Sequence, residues 1–257
     1  MNCALTIAGS DTGAGAGIQA DLKTFAALKL HGLSVITSLT AQNPDKVLGV
    51  FPVQPAFVVK QLQAVINTFK PTAAKTGMLF SAEIIEAIST FLAKQKNLKL
   101  VVDPVMVSES GAQLLNPDAI DVLVKKLCPL AHLITPNIKE AEKLTNVKIN
   151  SPETMRAAAK ILFNMVQVPV LLKGGHLKKL AIAPDIFYDG KNELLYTAPR
   201  IKKVKTHGTG CTYSAAITAF LAKGLPLDSA ILKAKTFVTT AIANSQSIKN
   251  YSVLGWF

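Results

Sequence analysis

The chain has 257 residues, of which 49% are hydrophobic and 17% are charged. This composition supports a sizeable core and excludes intrinsic disorder and collagen-like structure. Lys and Arg outnumber Asp and Glu by 28 to 16, and the resulting net charge of +12 favours anionic ligands without choosing among phosphorylated metabolites, nucleic acid and acidic lipid.

Short apolar runs rich in β-branched residues alternate along the chain with longer segments of helical periodicity. The runs predict eight strands, and the last two flank a turn at residues 189–192 and form a hairpin. The predicted strands cover residues 4–8, 34–40, 73–76, 100–103, 133–135, 168–173, 186–188 and 193–196.

The helical segments lie mainly between these strands, an alternation that is typical of βα units around a parallel sheet. The predicted helices cover residues 18–28, 58–69, 84–92, 118–127, 152–165, 210–223 and 227–243. We find no internal repeat and no interdomain linker. The sequence therefore predicts a single α/β domain over residues 1–257, with one doubly wound, largely parallel sheet and helices on both faces.

The three cysteines, Cys3, Cys128 and Cys211, lie far apart in sequence. This spacing argues against a disulfide framework and a zinc ribbon and is typical of reduced thiols. Residues 1–5 lack a basic region ahead of an apolar stretch, and no apolar run approaches membrane-spanning length. We therefore expect a cytoplasmic protein without a signal peptide or a membrane partner.

Glycine and polar residues gather directly after the predicted strands. In doubly wound sheets ligands bind outside the carboxyl ends of the strands, so these residues predict a ligand site. The segments are Gly9-Ser10-Asp11, Thr40-Ala41-Gln42-Asn43, Thr76-Gly77-Met78, Asp103-Pro104-Val105-Met106, Thr135-Pro136-Asn137 and Lys173-Gly174-Gly175-His176.

A second kind of signal is the turn Thr206-His207-Gly208-Thr209-Gly210-Cys211-Thr212, which precedes an apolar helix. Its glycines and the free N–H groups of the helix start are suited to phosphate, although Thr209 or Thr206 would equally serve as an ordinary N-cap. Cys211 lies at this helix start, where the dipole favours a reactive thiolate; the alternative is a small buried filler.

The loop at residues 9–17 is also rich in glycine but matches neither the dinucleotide-binding pattern nor the P-loop. Its glycines are suited to backbone packed against a flat ligand or to a mobile loop.

Asp103 and the run from Asn137 to Glu140 bring oxygen ligands to neighbouring strand ends, and these are suited to a Mg2+ ion that keeps several waters and contacts nucleotide phosphates. Glu140 alternatively stabilises a helix N-terminus. The segment Lys173-Gly174-Gly175-His176 forms either a turn or a phosphate contact.

The order of these segments is more specific than any one of them. The chain resembles the hydroxymethylpyrimidine and phosphomethylpyrimidine kinases of thiamine synthesis, in the ribokinase superfamily. The resemblance runs from residue 4 to about residue 240 and rests on residues 5–11, 15–25, 34–37, 39–43, 75–79, 102–107, 134–137, 140–142, 173–177 and 206–212.

The resemblance implies a ribokinase-like fold and transfer of phosphate from ATP, accompanied by Mg2+, to the hydroxymethyl group of the pyrimidine and then to its monophosphate. Asp21 and Gln42 would hydrogen-bond the aminopyrimidine, and Gly9, Met78 and Val105 would line its pocket. A homodimer is also implied, with no nucleic acid as partner.

The same resemblance assigns the phosphate end of the site. The turn Gly208-Thr209-Gly210-Cys211 would form the anion hole, and Lys173 and His207 would contact the nucleotide. Asp103, Asn137 and Glu140 would organise Mg2+. Many superfamily members carry an aspartate base at the position of Cys211, so its thiolate is either the proton acceptor or only a part of the anion hole.

Two other functions stay open at this point. Some relatives with a similar glycine-cysteine turn phosphorylate pyridoxal, so a pyridoxal kinase is the close alternative. The charge of +12 also fits a non-catalytic protein of this fold that binds anions or nucleic acid.

The chain departs from the family pattern in four places. Residues 12–14 replace the usual Pro-Ser-Gly, Glu109 stands where Lys is common, and Ala112 stands where Asp is common. The tail at residues 251–257 lacks the usual family ending, which leaves its contacts unassigned.

Overall fold

The computed structural model describes residues 2–108, 111–177, 180–201 and 207–257. The strands in chain order are β1 (Cys3–Ala8), β2 (His31–Ile36), β3 (Ser38–Gln42), β4 (Val47–Pro52), β5 (Ala73–Thr76), β6 (Lys99–Val102), β7 (Leu133–Ile134), β8 (Val170–Lys173), β9 (Ile182–Tyr188), β10 (Glu193–Pro199), β11 (Gln246–Ile248) and β12 (Tyr251–Val253).

The helices alternate with these strands through most of the chain. They are α1 (Gly17–Ala27), α2 (Pro55–Phe69), α3 (Ala82–Leu92), α4 (Ala119–Val122), α5 (Ile138–Thr145), α6 (Pro152–Val166), α7 (Thr209–Ala222) and α8 (Leu227–Ala243). A π-helical turn at Leu123–Leu127 and a 3-10 turn at Cys128–Leu130 continue α4.

Eight strands form the main sheet, in the order β10-β9-β8-β7-β6-β5-β1-β2. Strands β2, β1, β5, β6, β7 and β8 run parallel, and β9 and β10 add an antiparallel edge. This arrangement confirms the predicted α/β fold with a largely parallel sheet.

Helices cover both faces of the sheet because alternate strand residues are apolar on each side. Leu100 and Val102 of β6 face the core that includes α2, α3, α5 and α6, whereas Val101 faces the core that includes α7 and α8. Strands buried on both faces have continuous apolar runs, which is why their positions were predictable from the sequence.

One predicted strand, at residues 34–40, divides into two. The buried hydroxyl of Thr37 donates to the Met78 carbonyl at 2.6 Å, and Ser10 N–H donates to the Ser38 carbonyl at 2.9 Å. These bonds direct the chain out of the main sheet after β2. Strand β3 then pairs with β4 in a separate antiparallel hairpin that the sequence analysis missed.

A second small hairpin, β11 with β12, lies near the end of the chain and was also missed. Within the part of the chain that the structure describes, no helix is long and apolar enough to cross a membrane.

Candidate active site

A cavity of about 520 Å³ opens at the carboxyl ends of the parallel strands. Its lining combines the glycine-rich loop at residues 9–17, the segments after β5, β6 and β8, and the start of α7. The predicted site residues that line it are Gly9, Gln42, Met78, Val105, Asp103, Asn137, Glu140, Lys173, His207, Gly208, Thr209, Gly210 and Cys211. Of the predicted set only Asp21 is absent from the lining.

The glycine-rich loop is organised by Asp11, which belongs to a predicted site segment but had no individual role assigned to it. Its Oδ1 accepts the N–H of Gly13 at 2.9 Å, and its Oδ2 accepts those of Gly15 at 3.1 Å and Ala16 at 2.8 Å. Burial acts to raise the pKa of Asp11, but His207 and the N–H groups of Ala16 and Gly13 hold it below its ordinary value. An aspartate that directly follows a strand and precedes several glycines was the available signal.

Gly9, Gln42 and Met78, which were predicted to contact the pyrimidine, line one side of the cavity. A Cβ on Gly9 would lie 2.8 Å from Ser38 Oγ and 3.1 Å from Met78 Sδ, so only glycine fits without displacing its neighbours. Gln42 Nε2 lies 3.3 Å from His207 Nε2.

His207 was predicted among the nucleotide contacts, but the structure places it beside Asp11 and Gln42. Its Nε2 lies 3.1 Å from Asp11 Oδ2. The side chain therefore joins the glycine-rich loop to the end of β3, on the side of the cavity where the pyrimidine was expected. The reason is the close packing of its segment on the loop, since a Cβ on Gly15 would lie 2.9 Å from the ring of His207.

Asp21, which was predicted to contact the pyrimidine, is buried beside the cavity and does not line it. The carboxylate has no exposed surface and pairs with Lys75 Nζ at 2.9 and 3.0 Å, while Thr6 donates to it at 2.6 Å. Burial acts to lower the pKa of Lys75, but Asp21, followed by Cys211 and Asp103, holds it above its ordinary value. The role of Asp21 in this structure is to neutralise a buried lysine.

The first turn of α7 borders the cavity with its backbone. Gly208 is the N-cap at φ +83°, and a Cβ there would lie 1.8 Å from the Gly15 carbonyl oxygen, so the position requires glycine. The first helical bond is from Thr212 N–H to the Gly208 carbonyl at 2.9 Å. The N–H groups before Thr212 have no helical acceptor and are suited to an anion.

This geometry settles which residue caps α7. Thr209 is the first residue of the helix and not its N-cap, contrary to that alternative. Thr206 and Glu109 lie outside the described residues.

Lys173, at the end of β8, approaches this turn from the other side. Its Nζ donates to Asp103 Oδ1 at 2.7 Å and lies 3.6 Å from where a Cβ on Gly210 would stand. Asp103 Oδ2 accepts a bond from Ser214 of α7 at 3.0 Å. Burial acts to lower the pKa of Lys173, whereas Asp103 and then Glu140 hold it above its ordinary value. The amine is therefore charged at neutral pH.

Asn137 and Glu140 form a capping box at the start of α5. The Asn137 side chain accepts Glu140 N–H at 3.0 Å, and the Glu140 carboxylate accepts Asn137 N–H at 2.7 Å. The helix-capping alternative for Glu140 is thereby confirmed. Burial raises the pKa of Glu140 to about 8, opposed by Lys173 and reinforced by Asp103.

The donor set partly fits a magnesium ion. No group of three His, Cys, Asp or Glu residues suited to a metal occurs in the described ranges. Asp103 and Glu140 nevertheless both line the cavity, and a bound cation would lower the raised pKa of Glu140 by stabilising its carboxylate. Two carboxylates fit Mg2+ that keeps waters and binds nucleotide phosphates, whereas the Asn137 oxygen is already engaged in the cap.

The thiol of Cys211 is protonated at neutral pH, which favours the buried-filler alternative over the reactive thiolate. Burial raises its pKa to about 11, Lys75 acts against this, and Asp21 and Asp103 reinforce it. The N–H of Gly17 donates to the sulfur, which lowers the pKa by too little to compensate. Desolvation is the largest cause of this raised pKa, so the arrangement favours the anion-hole role over the base.

Comparison with known proteins agrees with this geometry. The family model for phosphomethylpyrimidine kinase matches residues 11–254. A hydroxymethylpyrimidine/phosphomethylpyrimidine kinase of Haemophilus influenzae is 47% identical over 95% of this chain and 92% of its own length. A thiamine biosynthesis bifunctional protein of Geobacter sulfurreducens is 50% identical over 95% of this chain, which spans only half of that protein.

Among solved structures, the pyridoxal kinase of Staphylococcus aureus in complex with AMP-PCP and pyridoxal superposes with a TM-score of 0.90 at 37% identity, covering 99% of this chain and 93% of that one. The match confirms the ribokinase-like fold. Because the family model extends over nearly all of the sequence, the chain belongs to the phosphomethylpyrimidine kinase family.

Proposed function

We propose that this protein transfers the γ-phosphoryl group of ATP to 4-amino-5-hydroxymethyl-2-methylpyrimidine and then to its monophosphate, as a kinase of thiamine biosynthesis. The observation that carries the proposal is the convergence of Lys173 and the first turn of α7 in one cavity with the glycine-rich loop. Identity of 47% to a kinase named for both pyrimidines supports the choice of substrate.

The geometry suits a loose phosphoryl transition state, which requires positioning and charge neutralisation more than covalent chemistry. The N–H groups of Thr209, Gly210 and Cys211 would receive the phosphoryl oxygens, and the Lys173 amine would exchange Asp103 for phosphate. Backbone donors and a lysine held in place need no reorganisation during the reaction, which is the condition for effective electrostatic stabilisation.

Mg2+ is part of the proposal, with Asp103 and Glu140 as the residues that would hold it. The bound ion would neutralise charge on the nucleotide phosphates. Proton transfer from the substrate hydroxyl is not assigned to Cys211, because its thiol is protonated at neutral pH. Cys211 would contribute its backbone N–H and its packing.

The decisive experiment is a coupled ADP-release assay with each pyrimidine, with and without Mg2+. We expect turnover with both pyrimidines that EDTA abolishes. If neither pyrimidine causes ADP release, the proposal is rejected.

Pyridoxal is the second candidate substrate, favoured by the TM-score of 0.90 to a pyridoxal kinase. The higher identity to pyrimidine kinases leads us to expect a larger kcat/KM for the hydroxymethylpyrimidine. A larger kcat/KM for pyridoxal, measured in the same assay, would instead assign the protein as a pyridoxal kinase.

The partner of the β3–β4 hairpin is proposed to be a second copy of the chain. Leu39 and Phe51 are paired across this hairpin and are 49% and 70% exposed, and Leu48 beside them is 67% exposed. An apolar patch of this kind is typical of an interaction surface. Light scattering should give the mass of a dimer, and Phe51→Asp should give that of a monomer.

A further inference from the structure

The segment at residues 244–257, whose contacts the sequence left unassigned, packs behind the proposed anion hole. Leu254 and Trp256 are 3% and 8% exposed and form a small apolar cluster with Ala20 of α1 and Ala241 of α8. Cys211 packs against this cluster. Trp256 itself lies outside the cavity lining. The tail therefore contacts the site from its protein side and not from the ligand side.

A directed bond links the indole to α7. Trp256 Nε1–H donates to Thr212 Oγ1 at 3.1 Å, and Thr212 has no exposed surface. Thr212 also makes the first helical bond of α7, to the Gly208 carbonyl. The indole thus holds the residue that ends the run of free N–H groups at the helix start.

A second contact links the same indole to the glycine-rich loop. Lys23 Nζ lies 4.7 Å from the centroid of the Trp256 ring and donates to the Ala14 carbonyl at 2.8 Å. A cation over an indole face is attracted to it, so the ring fixes the lysine that holds the loop. One side chain therefore contacts both the first turn of α7 and the lysine that bonds to the glycine-rich loop.

We propose that Trp256 is a positioning residue for phosphoryl transfer, acting through Thr212 on the first turn of α7 and through Lys23 on the glycine-rich loop. The proposal rests on the proposed kinase function. Its physical basis is that a reaction governed by alignment loses rate when donors shift by a fraction of an ångström to one ångström, even though substrate contacts persist.

The kinetic test compares Trp256→Phe, Thr212→Val and the double variant. Loss of one hydrogen bond predicts a fall in kcat of about 2- to 12-fold in each single variant, with KM for ATP and for the pyrimidine changed by less than about twofold. Because both variants remove the same bond, the double variant should lose no more than the worse single variant. Phe257→Ala, at an 87% exposed neighbour, is the matched control and should keep wild-type kcat.

A spectroscopic test is available because Trp256 is the only tryptophan in the chain. Titration of the wild type with Mg2+–ADP should give a saturable change in tryptophan fluorescence, and this change should diminish in Thr212→Val. This readout does not depend on turnover. If the wild type transfers no phosphate, the proposed function fails, and the titration still tests the link between Trp256 and the site.

Unchanged kcat in both single variants, with or without a lower Tm, would overturn the proposal, since it would reduce Trp256 to a packing residue. Multiplicative losses in the double variant would also overturn it, because the two side chains would then act separately. The proposal would also be overturned if the tryptophan emission spectrum of the wild type did not change at saturating Mg2+–ADP.

Discussion

Two lysine–aspartate pairs lie near the first turn of α7, and they differ in how far their side chains are exposed. The pair of Lys75 and Asp21 is completely buried, whereas in the pair of Lys173 and Asp103 the lysine side chain is 11% exposed. Both lysines lie within electrostatic reach of Cys211. Lys75 and Lys173 both line the cavity, but only Lys173 keeps exposed side-chain surface, so we expect Lys173 and not Lys75 to exchange its partner for phosphate.

The largest effect is expected where the sealed pair is broken. Asp21→Asn leaves the Lys75 charge buried without its counterion, so we expect a loss of about 3–5 kcal/mol in the free energy of unfolding. Urea denaturation measures this change in the free energy of unfolding. The double variant Asp21→Asn/Lys75→Met should recover most of the loss, and an intact free energy of unfolding in Asp21→Asn would contradict a structural role for the pair.

Breaking the accessible pair should act on chemistry more than on folding. Lys173→Met removes the cation proposed to meet the phosphate, so we expect kcat to fall by about 10²- to 10³-fold, which steady-state kinetics will measure. The matched control is Lys125→Met, at a surface lysine whose side chain is 69% exposed. Wild-type kcat in Lys173→Met would remove this residue from the proposed mechanism.

The smallest effect is expected at Cys211, between the two pairs. Its thiol has a pKa raised to about 11, so it is neutral below that pH and its ionisation should leave no inflection in kcat between pH 6 and 9. Cys211→Ser should cost less than about tenfold in kcat, since removing a true general base costs about 10²- to 10⁴-fold. A loss in the higher range, with a pH inflection that disappears in the variant, would restore the thiolate base.

Much of the site was predictable because its residues follow strands. Asp103, Lys173 and Gly9 stand at strand ends, and the carboxyl ends of parallel strands necessarily meet at one edge of a sheet. Positive φ at Gly208 likewise follows from a local requirement that only glycine meets at low cost. Local sequence carries both kinds of information.

Several of the misses share a different cause, which is distance along the chain. Lys75 and Asp21 are 54 residues apart, and Trp256 and Thr212 are 44 residues apart. A local sequence pattern therefore cannot predict either pair. The β3–β4 hairpin was missed because buried bonds from Thr37 and to Ser38 end an otherwise continuous run of strand-forming residues. Side-chain partners of this kind exist only once the chain has folded.

The sequence by itself determined the alternation of strands and helices, the edge of the sheet that carries the ligand site, and the family. Hydrophobic periodicity and glycine conformations act over a few residues, and the order of motifs is read directly from the chain. Only the tertiary structure placed Asp21 beside the cavity, kept Cys211 protonated and brought Trp256 against α7. These properties depend on burial and on charges from distant segments, and neither has a local signature.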